Sequence, residues 1–237
     1  MPSSSNPRGI RGVLFDLDGT LLDTAPDMAA ALNDLRREHG LGALPLAAIR
    51  DHVSHGSTAM VRIGFGDGLA EARFEALRAR FLAIYAENLA QQTRLFPGMP
   101  EVIDALEVRG LVWGIVTNKP GFLSRPLIEA LGLQRRIACL VSGDQLPQRK
   151  PHPAPLLHAA ADCGLPPGAC CYLGDAERDI AAGRAAGMHT LIARWGYIDS
   201  DQCPQAWGAD AELQQPEALL EWLETPAATP QATPMSR

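Results

Sequence analysis

The sequence predicts an α/β protein with a doubly wound, mainly parallel sheet in a Rossmann-like core, carrying an inserted all-helical segment. Three observations predict it. Apolar runs at residues 13–15, 111–116 and 170–173 each stop abruptly at acidic or polar residues. From residue 96 onward such runs alternate with stretches of helical periodicity, whereas residues 24–92 show helical spacing alone. Strands that alternate with helices imply a parallel sheet covered on both faces. A chain of 237 residues that is 46% hydrophobic can bury a sizeable core. The expected division is a core of residues 8–23 and 93–224, a helical unit of residues 24–92, and flexible tails at 1–7 and 225–237.

The first element is the run Val13 to Phe15, followed at once by Asp16, Asp18 and Gly19. In open α/β sheets ligands bind at the carboxyl ends of strands, so these acids would stand at the mouth of a crevice. Side chains two apart on an extended segment share a face, which crowds two negative charges and suits a divalent cation. A plain turn is the competing reading, because Asp and Gly after a strand are common turn formers.

Pro26 suits a first helical turn, and Met28, Ala31, Leu32 and Leu35 recur at helical spacing until Gly40. Residues 46–53, 58–63 and 69–89 continue in the same manner, with Phe74, Leu77, Phe81, Leu82 and Tyr85 as a stripe on the last. The glycine cluster of residues 64–68 follows no strand, so it reads as an interhelical turn rather than a nucleotide loop. Beyond Phe96-Pro97-Gly98, helices are expected at 101–108, 121–131, 154–163 and 177–186, with strands at 111–116, 137–141, 170–173 and 190–193. The tail of residues 225–237 repeats Ala-Thr-Pro and reads as disordered.

The net charge of −6 argues against a nucleic-acid surface, where a basic stripe would be expected. No run approaches a membrane span, and residues 1–8 lack the apolar stretch of a signal peptide. The five cysteines are odd in number and lack C-x-x-C spacing, so neither a disulfide framework nor a zinc site is indicated. A reduced, cytoplasmic protein is expected, as a monomer or homodimer.

Three further strand ends and loops carry candidate chemistry. Thr117-Asn118-Lys119-Pro120 places a hydroxyl and an amide after an apolar run, where they could hold phosphate oxygens or form an ordinary polar turn. Lys150 sits in Lys150-Pro151-His152-Pro153 ahead of a helix; a lone loop lysine is usually solvated. Gly174-Asp175 follows the run 170–173, with Asp179 one helical turn later. Both acids would also serve simply to stabilise a helix start.

Taken in order, D-L-D-G-T-L-L-D-T from Asp16, Thr117 at a strand end, K-P-x-P from Lys150 and G-D-x-x-x-D from Gly174 resemble the four motifs of the haloacid dehalogenase-like phosphohydrolases. The resemblance covers residues 10–224 and implies a mobile helical cap at 24–92 that excludes water and selects the substrate. It implies Asp16 as nucleophile, Asp18 as general acid and base, Thr117 and Lys150 as phosphate-stabilising catalytic residues, and Asn118 as a secondary substrate contact. It further implies Mg²⁺ held by Asp16, the backbone carbonyl of Asp18, Asp175 and Asp179, the last directly or through water.

Residues 193–198 and 207–210 resemble the phosphoglycolate phosphatase-like branch. With residues 49–56 and 116–120 added, the match is fuller to N-acetylmuramic acid 6-phosphate phosphatases of bacterial cell-wall recycling. Both imply a small phosphorylated metabolite bearing a carboxylate, which Arg50 would meet bidentately unless it pairs with a neighbouring acid. His52 and His55 lack metal-ligand spacing. A dehalogenase of the same fold would not need the second set of acids, and a phosphate-accepting signalling domain lacks the D-x-D pair. A β-phosphoglucomutase-like mutase would share the core and differ mainly in its cap.

Overall fold

Alternate residues of the first strand, β1 (Gly12–Phe15), enter two different cores, which explains why its sequence is apolar without interruption. Val13 and Phe15 pack with Trp113, Ile115, Cys171 and Leu173 on one face, while Leu14 packs with Val116 and Tyr172 on the other. The computed structural model describes residues 7–226. The tail expected to be disordered lies outside them from residue 227 onward, as do residues 1–6.

After β1 the chain forms β2 (Leu22–Asp23) and enters three helices, α1 (Ala25–Glu38), α2 (Gly56–Phe65) and α3 (Glu71–Glu87). It returns through β3 (Arg94–Leu95), which pairs antiparallel with β2, Leu22 opposite Leu95 and Asp23 opposite Arg94. The helical insertion therefore leaves and rejoins the core through one short ribbon. The core continues with α4 (Met99–Val108), β4 (Val112–Val116), α5 (Gly121–Ala130), β5 (Leu140–Val141), α6 (Ala154–Asp162), β6 (Cys170–Gly174), α7 (Glu177–Ala185), β7 (His189–Ala193), β8 (Ala211–Leu213) and α8 (Ala218–Glu224).

The six core strands form one parallel sheet in the order β5-β4-β1-β6-β7-β8. The chain builds outward from β1 to β4 and β5, then crosses to β6 and continues the other way. Strand order thus reverses around β1, and the crevice lies where the carboxyl ends of β4, β1 and β6 come together. Phe15 is level with both Ile115 and Leu173, so Asp16, Thr117 and Asp175 emerge from adjacent strands at nearly the same height.

Two expectations change. Residues 46–53 are two short 3₁₀ segments, Leu46–Ala48 and Arg50–His55, rather than an α-helix. Extended Pro45 and left-handed Gly56 bracket too few residues for an α-helical ladder, yet Ile49 and Val53 still reach the core. The strand expected at 137–141 contracts to Leu140–Val141 at the sheet edge. The sequence reading also passed over β8 and α8; three residues with an acidic centre make a weak strand signal.

Candidate active site

Asp16 continues β1, its N–H donating to the Leu173 carbonyl at 2.9 Å, so the last sheet hydrogen bond fixes where its carboxylate begins. Asp175 follows β6, and Asp179 lies in the first turn of α7, where Asp179 Oδ2 accepts from the Ala176 N–H at 3.1 Å. That contact is the helix-start role weighed from sequence, but it occupies one oxygen only. Each of Asp16, Asp175 and Asp179 offers an oxygen within 4.8 Å of those of the other two, all buried.

Three carboxylates this close repel one another. Burial pushes the Asp16 carboxyl up to about 6, against the pull of Lys150 and with a further push from Asp179. Burial together with Asp16 and Asp179 raises Asp175 to about 7. Hard oxygen donors crowded beyond what the protein's own cations offset suit a divalent ion such as Mg²⁺. The space is shaped as well as charged. Gly19, at φ 86°, lies so close that a Cβ there would fall 2.1 Å from Asp175 Oδ2, and one at Gly196 would fall 2.3 Å from the Asp175 Cβ.

Lys150 is the local counter-charge, with 3% of its surface exposed. Its ammonium lies 2.8 Å from Asp16 Oδ1 and 2.8 Å from Asp179 Oδ1, and it donates to the Val116 carbonyl at 3.0 Å and the Tyr172 hydroxyl at 2.7 Å. A buried ammonium needs this many partners to stay charged. Tyr172 in turn donates to the Val116 carbonyl at 2.8 Å. Tyr172 reads from sequence as a strand residue, and nothing in its local pattern reveals that its hydroxyl fixes a lysine.

Asp18 stands apart from the acidic trio. Thr24 Oγ1 donates to Asp18 Oδ1 at 2.6 Å and Lys119 Nζ donates to the same oxygen at 2.9 Å. Burial alone would lower the Lys119 ammonium, but Asp18 and the Tyr85 hydroxyl raise it above the ordinary range. Thr117 is buried at the end of β4, its hydroxyl accepting from the Lys119 N–H at 3.1 Å. Nothing in the sequence alone marks Lys119 for this contact.

The two expected substrate contacts are placed otherwise. Both ends of the Asn118 amide are taken by Lys150: its Nδ2 donates to the Lys150 carbonyl at 3.0 Å and its Oδ1 accepts from the Lys150 N–H at 3.1 Å. Asn118 borders the cleft but acts as a brace for the lysine loop. Arg50 pairs with Asp23 at 3.0 Å and lies over the Tyr197 ring at 5.1 Å, and it does not line the cleft. The neighbouring-acid reading of Arg50 is the one the structure shows.

The helical insertion touches the acidic trio through Ser54, whose hydroxyl lies 2.7 Å from Asp175 Oδ2 and 3.3 Å from the Asp18 carbonyl oxygen. Arg178 donates to the Ser54 carbonyl at 2.7 Å. Burial works against the Arg178 charge, but Asp179, Asp16 and Asp175 sustain it. Tyr197 closes the other side: its N–H donates to Asp175 Oδ2 at 2.8 Å and its hydroxyl to Asp23 Oδ1 at 2.7 Å. The Trp195 indole donates to the Thr20 carbonyl at 3.0 Å, and Gly196 lies against Asp175 and Gly19, so the 193–198 stretch packs on the loop that follows Asp16.

Above these groups opens a cleft of about 360 Å³. Core residues Asp16, Asp18, Thr117 and Lys119 form its floor, and Met28, Val53, Phe81, Leu82 and Tyr85 from the insertion supply an apolar wall. Arg78, Arg149 and Arg178 add positive charge at its border, and His55 faces it too.

Comparison with known proteins identifies the family. Residues 13–193 match the sequence profile of the haloacid dehalogenase-like hydrolases. The chain is 50% identical over 221 residues to a phosphoglycolate phosphatase from Xanthomonas campestris, covering 93% of this chain and 98% of that one. It is 42% identical over 215 residues to an N-acetylmuramic acid 6-phosphate phosphatase from Pseudomonas aeruginosa, covering 91% and 95%. Among solved structures, one from Haemophilus somnus described as a predicted phosphoglycolate phosphatase superposes with a TM-score of 0.80 at 27% identity, covering 90% of this chain and 98% of that one. The chain belongs to the haloacid dehalogenase-like hydrolases and is an enzyme of their phosphatase branch.

Proposed function

We propose that this chain is a Mg²⁺-dependent phosphomonoester hydrolase that works through an aspartyl phosphate on Asp16 and acts on a carboxylate-bearing sugar phosphate, N-acetylmuramic acid 6-phosphate, in the cytoplasm. The observation that carries the reaction type is the Asp16 carboxylate, which faces the cleft with Lys150 at 2.8 Å and two further acids beside it. Asp16, Asp175 and Asp179 would hold the cation, with the Asp18 carbonyl as a further donor. Bound there, Mg²⁺ supplies charge neutralisation that lets an anionic nucleophile approach an anionic phosphate.

The chain's own groups divide the rest of the work. An Asp16 oxygen attacks phosphorus, and the bond from phosphorus to the ester oxygen breaks. Asp18 gives its proton to that leaving oxygen, then takes a proton from the water that hydrolyses the aspartyl phosphate. Thr117 and Lys150 hold oxygens of the transferring group, and Asn118 keeps Lys150 in place. Residues 24–92 act as the cap, since the cleft takes its apolar wall from them.

Support for a sugar acid is the wall itself. A cleft of about 360 Å³ with Met28, Phe81, Leu82 and Tyr85 on one side has apolar area that a two-carbon acid phosphate would leave uncovered. Arg149, at the border and without an ion pair among the described residues, is a partner for the carboxylate. Phosphoglycolate is the second reading, favoured by the 50% identical relative. Phosphate release from N-acetylmuramic acid 6-phosphate, N-acetylglucosamine 6-phosphate, phosphoglycolate and β-glucose 1-phosphate, measured in parallel, tests the proposal. A higher kcat/KM for phosphoglycolate would replace the substrate, and no release from any ester would remove the reaction.

A further inference from the structure

The spacing of the five cysteines indicates no pairing, but the fold brings two of them together. Cys139 and Cys163 are 24 positions apart in the chain, and their Sγ atoms lie 3.6 Å apart. Cys139 immediately precedes β5; its carbonyl accepts from the Ile115 N–H at 3.0 Å, and its sulfur presses on Gly114, where a Cβ would come within 2.5 Å. Cys163 ends α6, with its N–H bonded to the carbonyls of that helix's last turn. Neither borders the cleft. The two differ in access. Cys139 is buried and Cys163 partly exposed.

The contact polarises the pair. A hydrogen bond from Cys139 pushes the Cys163 thiol down, whereas that same bond and burial push Cys139 well above the ordinary thiol range. The accessible sulfur, Cys163, is the one an oxidant reaches first, and the buried Cys139 sulfur, 3.6 Å away, sits within reach to resolve the product.

We propose that Cys139 and Cys163 form a peroxide-responsive dithiol that closes reversibly to a disulfide. Cys163 sulfur attacks one oxygen of hydrogen peroxide; the O–O bond breaks, giving a sulfenic acid and one water. Cys139 sulfur then attacks the sulfenic sulfur, forming the S–S bond and releasing a second water that carries off the Cys139 proton. Two thiols are oxidised and one peroxide is reduced to two waters. The bond clasps both ends of the segment that carries Lys150 without entering the cleft. Because a cross-link of this span restricts the unfolded chain, the oxidised protein should melt about 5 °C or more higher, while kcat/KM stays within about twofold.

The test uses the full-length protein, treated with hydrogen peroxide, alkylated, and mapped by non-reducing peptide mass spectrometry. The expected result is loss of two of the five thiols, a Cys139–Cys163 linked peptide, recovery of both thiols with dithiothreitol, and no such link in Cys163→Ser, whose basal activity should be unchanged. Cys170, buried in the same apolar cluster, is the internal control. A link from Cys163 to Cys170 or Cys203, a Cys163 sulfinic acid with Cys139 still alkylated, or five thiols left intact would each overturn the proposal.

Discussion

Lys119 and Asp18 meet at 2.9 Å, and the same ammonium rests 4.6 Å from the centre of the Tyr85 ring. Asp18 follows β1, Lys119 follows β4 and Tyr85 belongs to α3, so one cation joins the sheet to the helical insertion. Replacing Lys119 by Met should therefore cost more than a surface ion pair would. Losing one partner of a buried pair is worth about 3 kcal/mol, the lower end being apt because the Asp18 side chain keeps 15% of its exposure. Urea unfolding of Lys119→Met checks this; a loss under about 0.5 kcal/mol, the scale of an exposed pair, would show the contact to be energetically idle.

Asp16→Asn should lower phosphate release by at least about 10³-fold, because an amide oxygen is too poor a nucleophile to displace an alkoxide. The variant should still fold, since the amide keeps the shape and relieves crowding among the three acids. Circular dichroism with single-turnover kinetics decides it. A folded variant turning over at near wild-type rate would remove Asp16 as nucleophile.

The acidic trio makes stability depend on pH in an unusual direction. The Asp16 and Asp175 carboxyls start from 3.8 and rise to about 6 and about 7 in the folded chain. Between those limits the folded state binds more protons than the unfolded one, so without metal stability should fall as pH rises from about 5 to 7, by up to about 1.4 kcal/mol per pH unit for each group. His55, pushed down from 6.5 by burial and by Arg178, works in the opposite sense below that value. Saturating Mg²⁺ should cancel the carboxylate part and leave His55, so the stabilisation by Mg²⁺ should grow with pH. Thermal melts at pH 5, 6 and 7, with Mg²⁺ and with chelator, measure that difference, and a pH-independent Mg²⁺ effect would contradict the assignment.

Arg50→Ala should leave discrimination between N-acetylmuramic and N-acetylglucosamine 6-phosphates unchanged, because Arg50 is committed to Asp23 and Tyr197. Arg149→Ala should reduce that discrimination by about 1.5–3 kcal/mol, the worth of a hydrogen bond to a charged group. Paired kcat/KM values for the two esters separate the arginines. The opposite pattern would return the carboxylate to Arg50.

Much of this site was legible because strand ends announce themselves. Asp16, Thr117 and Asp175 each terminate an uninterrupted apolar run, and the parallel sheet brings such ends together whatever the loops do. Lys150 was legible only through its motif, since nothing in a lysine's neighbours reveals that it will be buried. Residues that act across long sequence distances were not legible. Ser54 reaches Asp175 from 121 positions away, and Tyr197 reaches Asp23 from 174. Arg50 stays open between two readings in the sequence because a guanidinium fits a substrate carboxylate and an aspartate equally well, and only tertiary placement shows that Asp23 is near.

The β2–β3 ribbon has a further consequence. Leu22 lies opposite Leu95 and Asp23 opposite Arg94, so the insertion starts and stops at a single doorway. The sheet registers only the width of that doorway, not the amount of chain beyond it. Closing a loop grows costlier only with the logarithm of its length, so helices can be lengthened, shortened or exchanged there at little expense to the core. If residues 24–92 choose the ester, as proposed above, that choice can change independently of the phosphate chemistry, like a lock body that accepts different cylinders.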